Sequence, residues 1–67
     1  MRYILRIDRE QEPNTFDTLI VCCTNDKEKF DRCWKNIISG LMEAETIQKC
    51  YWRNEENFTY LILEIKL

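Results

Sequence analysis

Over its first eight positions the chain alternates. Tyr3, Leu5 and Ile7 share one parity, while Arg2, Arg6 and Asp8 share the other with Ile4 among them. A period of two sends successive side chains to opposite faces, so residues 1–8 are predicted as a half-buried strand. Residues 9–14 are polar and include Pro13, which has no backbone N–H and favours a turn, so a hairpin loop is expected there. A second strand is predicted over residues 16–23, rich in β-branched and apolar side chains. Its apolar residues fall on both parities, Leu19, Val21 and Cys23 against Phe16, Ile20 and Cys22.

The period then changes. Phe30, Cys33, Trp34, Ile37, Ile38 and Leu41 recur at helical spacing and form one broad apolar stripe. Asn25, followed three residues later by Glu28, predicts the helix start as a variant of the capping box, with Asp26 and Glu28 suited to the positive helix end. Glu28–Arg32 and Asp31–Lys35, acid first at i,i+4, are expected to pair on the outer face, each contributing about 0.2–0.5 kcal/mol. Two endings are open. Gly40 closes the helix as its C′ residue, or the helix runs on to about residue 45 and Gly40 marks close packing.

Residues 47–53 form a third predicted strand, and the polar residues 54–57 a turn. Residues 58–67 are the clearest strand, with Leu61, Leu63, Ile65 and Leu67 on one face and Phe58, Tyr60, Ile62, Glu64 and Lys66 on the other. The expected fold is a single α+β domain over residues 1–67, in the order β-β-α-β-β. It is a small, mostly antiparallel sheet with one amphipathic helix packed on one face.

A single helix covers a single face. With Tyr3, Leu5, Ile7, Leu19, Val21, Leu61, Leu63, Ile65 and Leu67 under it, parity sends Ile4, Ile20, Cys22, Phe58, Tyr60 and Ile62 to the other side. Trp52 and Cys50 join them if the third strand has the matching register. Arg2, Arg6, Glu64 and Lys66 supply a charged border, and an apolar centre with a polar rim is the anatomy of a protein interface. Of Tyr51 and Trp52 one must face inward, and the other, with Arg53, is a candidate contact because Trp, Tyr and Arg are enriched at binding hot spots. The expected protein-binding residues are therefore Ile4, Arg6, Ile20, Trp52, Arg53, Phe58, Tyr60 and Ile62. Asp8, Glu10 and Glu12 join them from the acidic loop over residues 8–17.

Composition narrows the chemistry. The chain has 67 residues, twelve acidic and ten basic, a net charge of −2 and no histidine. Interleaved signs without a basic face argue against duplex binding. No apolar run approaches the ~18 residues of a membrane span, and the first residues lack the pattern of a secretion signal, so a cytoplasmic protein is expected. Cys22, Cys23, Cys33 and Cys50 include one vicinal pair, whereas zinc ligands usually come in pairs about two to four residues apart; free thiols and no metal are expected. Without histidine the usual base and commonest metal ligand are missing, and one glycine cannot make a phosphate loop. Neither catalysis nor a cofactor is expected.

The expected function is a non-catalytic protein-binding module. Small size and a composition of one Ala, one Gly, eight Ile and five Asn, as in AT-rich genomes, suggest an inhibitor of the phage or mobile-element type. Its target would be a host defence nuclease complex such as CRISPR or restriction, blocked sterically by the sheet face or by the acidic loop, whose carboxylates could replace phosphates. The alternative is a small dimeric accessory subunit, paired with a second copy through sheet faces or edges. A single-strand nucleic-acid binder, stacking bases on Tyr60, Phe58 and Trp52 beside Arg2 and Arg6, ranks third.

Overall fold

In the computed structural model, which describes residues 1–66, the polar residues after Asp8 stay in the sheet instead of looping out. β1 (Arg2–Glu12) and β2 (Thr15–Thr24) form one long antiparallel hairpin in which Arg9 faces Asp17, Glu10 faces Phe16 and Glu12 faces Thr15. The predicted loop shrinks to Pro13 and Asn14. Proline fixes a negative φ at the first corner position, and Asn14 takes the left-handed second one at φ 67°.

α1 (Lys27–Glu43) follows, then β3 (Ile47–Asn54) and β4 (Phe58–Lys66), so the order is β-β-α-β-β. The fold is α+β, with the sheet order β2-β1-β4-β3. Both outer pairings are antiparallel, while the central pair, β1 with β4, is parallel. Leu67, expected on the helix-side face, lies outside the described residues.

The helix begins one residue later than expected. Its N-cap is Asp26, not Asn25, and the Asp26 carboxylate accepts from the backbone N–H groups of Glu28 and Lys29 at 3.0 and 3.3 Å. Gly40 lies inside the helix and ends nothing. A methyl group placed on it would meet no atom within 4 Å, so it marks no close packing either. The left-handed residue that closes the helix is Glu45, at φ 55°; its N–H donates to Met42 and that of Thr46 to Leu41. These are the paired hydrogen bonds of a Schellman ending made without glycine. Neither expected i,i+4 ion pair forms among the described residues. Asp31 instead accepts from Trp34 Nε1 at 2.9 Å, and Lys35 lies over the Trp34 ring at 5.6 Å.

Phe30, Leu5, Ile7, Leu61, Leu63 and Ile65 make the core, with Trp34, Ile37, Ile38 and Leu41 packed against it from the helix. The helical stripe and the parity of β1 and β4 place these residues as expected. The helix leaves β2 at the end of the sheet where Thr24 faces Tyr3, and it returns to β3 at the far end, where Ile47 faces Ile65. Those points lie about 20 Å apart along the strands and about 14 Å across them. The diagonal is about 25 Å, which is the length of a 17-residue helix at about 1.5 Å per residue. A diagonal helix leaves two opposite corners of its own face uncovered, one over β2 and one over β3.

Of three register shifts in the ladders, at Gln11, Val21 and Gln48, the last two decide where the apolar side chains go. Val21 is the extra residue between the pairs Leu5–Cys22 and Arg6–Ile20. Cys22 therefore turns to the helix side and packs against the core, contrary to simple alternation, while Ile20 stays on the open face. Gln48 is the extra residue of β3, between Ile47–Ile65 and Lys49–Glu64. Trp52 then faces Leu61 and Cys50 faces Leu63, which puts both on the helix side, and Tyr51 goes to the open face.

Candidate functional site

The open face carries, strand by strand, Phe16, Thr18, Ile20 and Cys23; Arg2, Ile4, Arg6, Asp8 and Glu10; Phe58, Tyr60, Ile62, Glu64 and Lys66; and Lys49, Tyr51 and Arg53. Its centre is not bare. Ile62 is 0% exposed and Ile4 is buried, although no helix lies on this side. The neighbouring side chains close over them. Arg6 and Tyr51 flank Ile62 in register, and the Arg6 Nε is buried without a hydrogen-bond partner, as in a side chain lying along the sheet. Phe58 and Tyr60 stand half-buried with ring centroids 6.2 Å apart, and Lys49 covers the Tyr51 ring at 5.0 Å. Long amphipathic side chains thus shield the apolar middle. Of the expected contacts, Ile4 and Ile62 belong to a small second core, and Trp52 lies on the opposite side.

The expected acidic loop is a paired hairpin, and much of its charge is engaged. Asp8 is buried; it bonds Arg6 at 3.0 Å and accepts from Thr18 Oγ1 at 3.0 Å. Asp17 lies 3.7 Å from Arg9 and accepts from Gln11 at 2.7 Å. Glu10 is half-buried and Glu12 exposed, both without an ion pair among the described residues. Arg53 is exposed and paired with Glu55 at 2.9 Å.

Exposed apolar surface gathers instead on β2. Phe16, Leu19, Ile20 and Val21 are between 37% and 52% exposed. β2 is an edge strand, so one side of its backbone has no sheet partner. Ile20 and Phe16 rise on the open face, and Leu19 stands at the helix-side corner that the diagonal helix misses. Alternation alone put Leu19 and Val21 under the helix. The signal that could have found them is the parity conflict within residues 16–23, where both faces read apolar.

The second uncovered corner is a groove of about 440 Å³ between α1 and the end of β3. Tyr3, Phe30, Trp34 and Trp52 line it, with Asp31 and Lys27 at the helix side and Asn54 and Thr59 at the sheet side. Phe30 is its buried floor, 5.4 Å from Tyr3 and 6.0 Å from Trp52 between ring centroids. Trp34 and Trp52 meet edge to face at 6.1 Å. Sequence reasoning assigned Tyr3, Phe30 and Trp34 to the core and missed the groove.

Burial pushes the Cys22 thiol up, and the adjacent Cys33 and Cys23 push it the same way, so it holds its proton at neutral pH. All four cysteines are free, and among the described residues no three His, Cys, Asp or Glu side chains cluster as a metal would need. Among the described residues no helix is long and apolar enough to cross a membrane. In comparisons with known proteins, the chain matches no family model, no curated protein and no solved structure.

Proposed function

We propose that the chain is a non-catalytic protein-binding module that works by covering a surface on another protein, with the β2 edge and the adjoining open face as its contact. The observation that carries this reading is the exposure of Phe16, Leu19, Ile20 and Val21 on an edge strand. An edge offers a row of unpaired N–H and C=O groups that another strand can complete, and side chains on its two faces then grip that strand from both sides. Natural edges are usually guarded by lysine, proline or a short length. β2 has ten residues, no lysine and no proline; Asp17 and the bulge at Val21 are its guards.

Blocking is the action such a surface performs most directly, and an inhibitor of a defence nuclease complex remains the specific form proposed. The steric route is favoured over imitation of phosphates, because Asp8 and Asp17 are engaged within the hairpin and only Glu10 and Glu12 remain for that role. A second reading uses the same edge. Antiparallel pairing of β2 with β2 of another copy is self-complementary about a two-fold axis, which would make the chain a dimeric subunit.

A photo-activated crosslinker placed at Ile20, and separately at Asn36 on the outer helix face, tests both readings in cells. The expected result is one discrete adduct from position 20 that Leu19→Lys abolishes, with none from position 36. An adduct at twice the chain mass of 8.2 kDa selects the dimeric subunit. Equal adducts from both positions, or adducts indifferent to Leu19→Lys, would sink the β2 assignment.

A further inference from the structure

The groove beside β3 lies at the opposite edge of the sheet from β2 and has a chemistry of its own. Three of its four rings are walls and Phe30 is the floor, so a guest would meet ring faces on several sides. Trp52 is 51% exposed there, with its edge-to-face contact on Trp34 holding the two indoles as perpendicular surfaces. Ring faces carry negative potential and attract cations. This protein already uses that attraction twice, with Lys35 over Trp34 and Lys49 over Tyr51.

The polar lining adds direction. Asp31 belongs to no ion pair among the described residues. Its Oδ1 accepts from Trp34 Nε1 at 2.9 Å, which fixes the carboxylate and leaves Oδ2 to receive a further donor. Asn54 and Thr59 line the sheet side, and the Thr59 hydroxyl, which donates to Met1 Sδ at 3.5 Å, keeps its oxygen free to accept. Lys27 also borders the groove, but it is exposed and stacks on none of the rings.

We propose that this groove is a binding site for an arginine side chain of a partner protein. A guanidinium is planar, so it stacks on Trp52, and its five N–H donors in one plane suit a carboxylate on one side and neutral oxygens on the other. A quaternary ammonium would use the rings but leave those acceptors unfilled. A neutral apolar side chain would bury the free Asp31 oxygen without a donor. The site is independent of the β2 edge, and it assigns a role to a tryptophan that covers only part of the core.

Indole fluorescence during titration of the purified protein with N-acetyl-arginine methylamide reads the site directly. N-acetyl-citrulline methylamide, nearly the same shape without the charge, is the matched control. Saturable quenching in the millimolar range is expected, at least about 10-fold weaker for citrulline and about 5-fold weaker in Asp31→Asn, as for loss of a charge-assisted bond. Asparagine at position 31 can still accept from Trp34, so the groove keeps its shape, and a far-ultraviolet circular dichroism spectrum checks the fold. Trp52→Ala, at a half-exposed position, should remove the signal and the binding, the latter followed by chemical shifts of the backbone amides near Asp31. Equal response to arginine and citrulline, tighter binding of the trimethyl-lysine analogue, or no saturation by about 100 mM would each overturn the proposal.

Discussion

Glycine stands where this chain needs no glycine, and a glutamate stands where glycine would fit. Gly40 lies inside α1 with open space around it, so Gly40→Ala should raise stability by about 0.5–1 kcal/mol through helix propensity and lost chain entropy. Glu45 holds the left-handed position that closes the helix, and Glu45→Gly should contribute a similar gain, about 0.5–1 kcal/mol, by removing a Cβ from that conformation. In urea titrations both appear as a higher midpoint with an unchanged slope. Asp26→Ala should cost about 1 kcal/mol, since two backbone donors lose their acceptor. Cys22 gives a pH test. Its thiol is raised in the folded state, so the unfolded chain ionises first and stability falls as pH climbs past the ordinary thiol value of 9.0. Melting temperatures of the protein and of Cys22→Ala, measured from pH 7 to 10, should converge at the alkaline end.

At the scale of elements, the contrast between Asp8 and Glu12 separates structure from surface. Asp8→Ala leaves Arg6 and Thr18 without their buried partner and should cost about 1–3 kcal/mol, whereas Glu12→Ala should stay within about 0.5 kcal/mol. Chemical denaturation of the pair checks this. The same two residues show what the order of side chains can and cannot convey. A helix with one stripe, and strands such as β4 with one face, declare themselves because their periodicity records burial. The outer half of the β1–β2 hairpin was not legible, since residues 9–12 pair through their backbones while their side chains are polar and at most half-buried. Register was hidden for a related reason: a bulge is one residue without a partner, and nothing in Val21 or Gln48 marks it. That is why Cys22 changed sides and why the side of Trp52 stayed open. Parity placed Ile4, Ile20, Phe58, Tyr60 and Ile62 on the open face, where the registers put them, without telling that Ile4 and Ile62 are buried there.

At the scale of the whole molecule the extents are 33 × 24 × 15 Å, a slab one helix and one sheet thick. Such a slab has little interior. Phe30→Ala should cost about 3–5 kcal/mol, comparable with the entire stability of a chain this small, so circular dichroism is expected to show an unfolded protein. Ile20→Lys has the opposite character. It changes an exposed position, so melting should move little, while any self-association seen by light scattering during size-exclusion chromatography should weaken.

The central pairing of β1 with β4 carries a consequence for how the molecule is made. β1 leaves the ribosome well before β4, its inner neighbour, so the middle of the sheet stays open until β4 has been made. Cutting the chain in the turn before β4 removes the keystone, not a rim stone. Residues 1–54 alone should stay disordered, and a separate peptide of residues 55–67 should restore the fold when the two are mixed. The protein is thus a natural candidate for a split reporter, in which two fragments become ordered only in each other's presence.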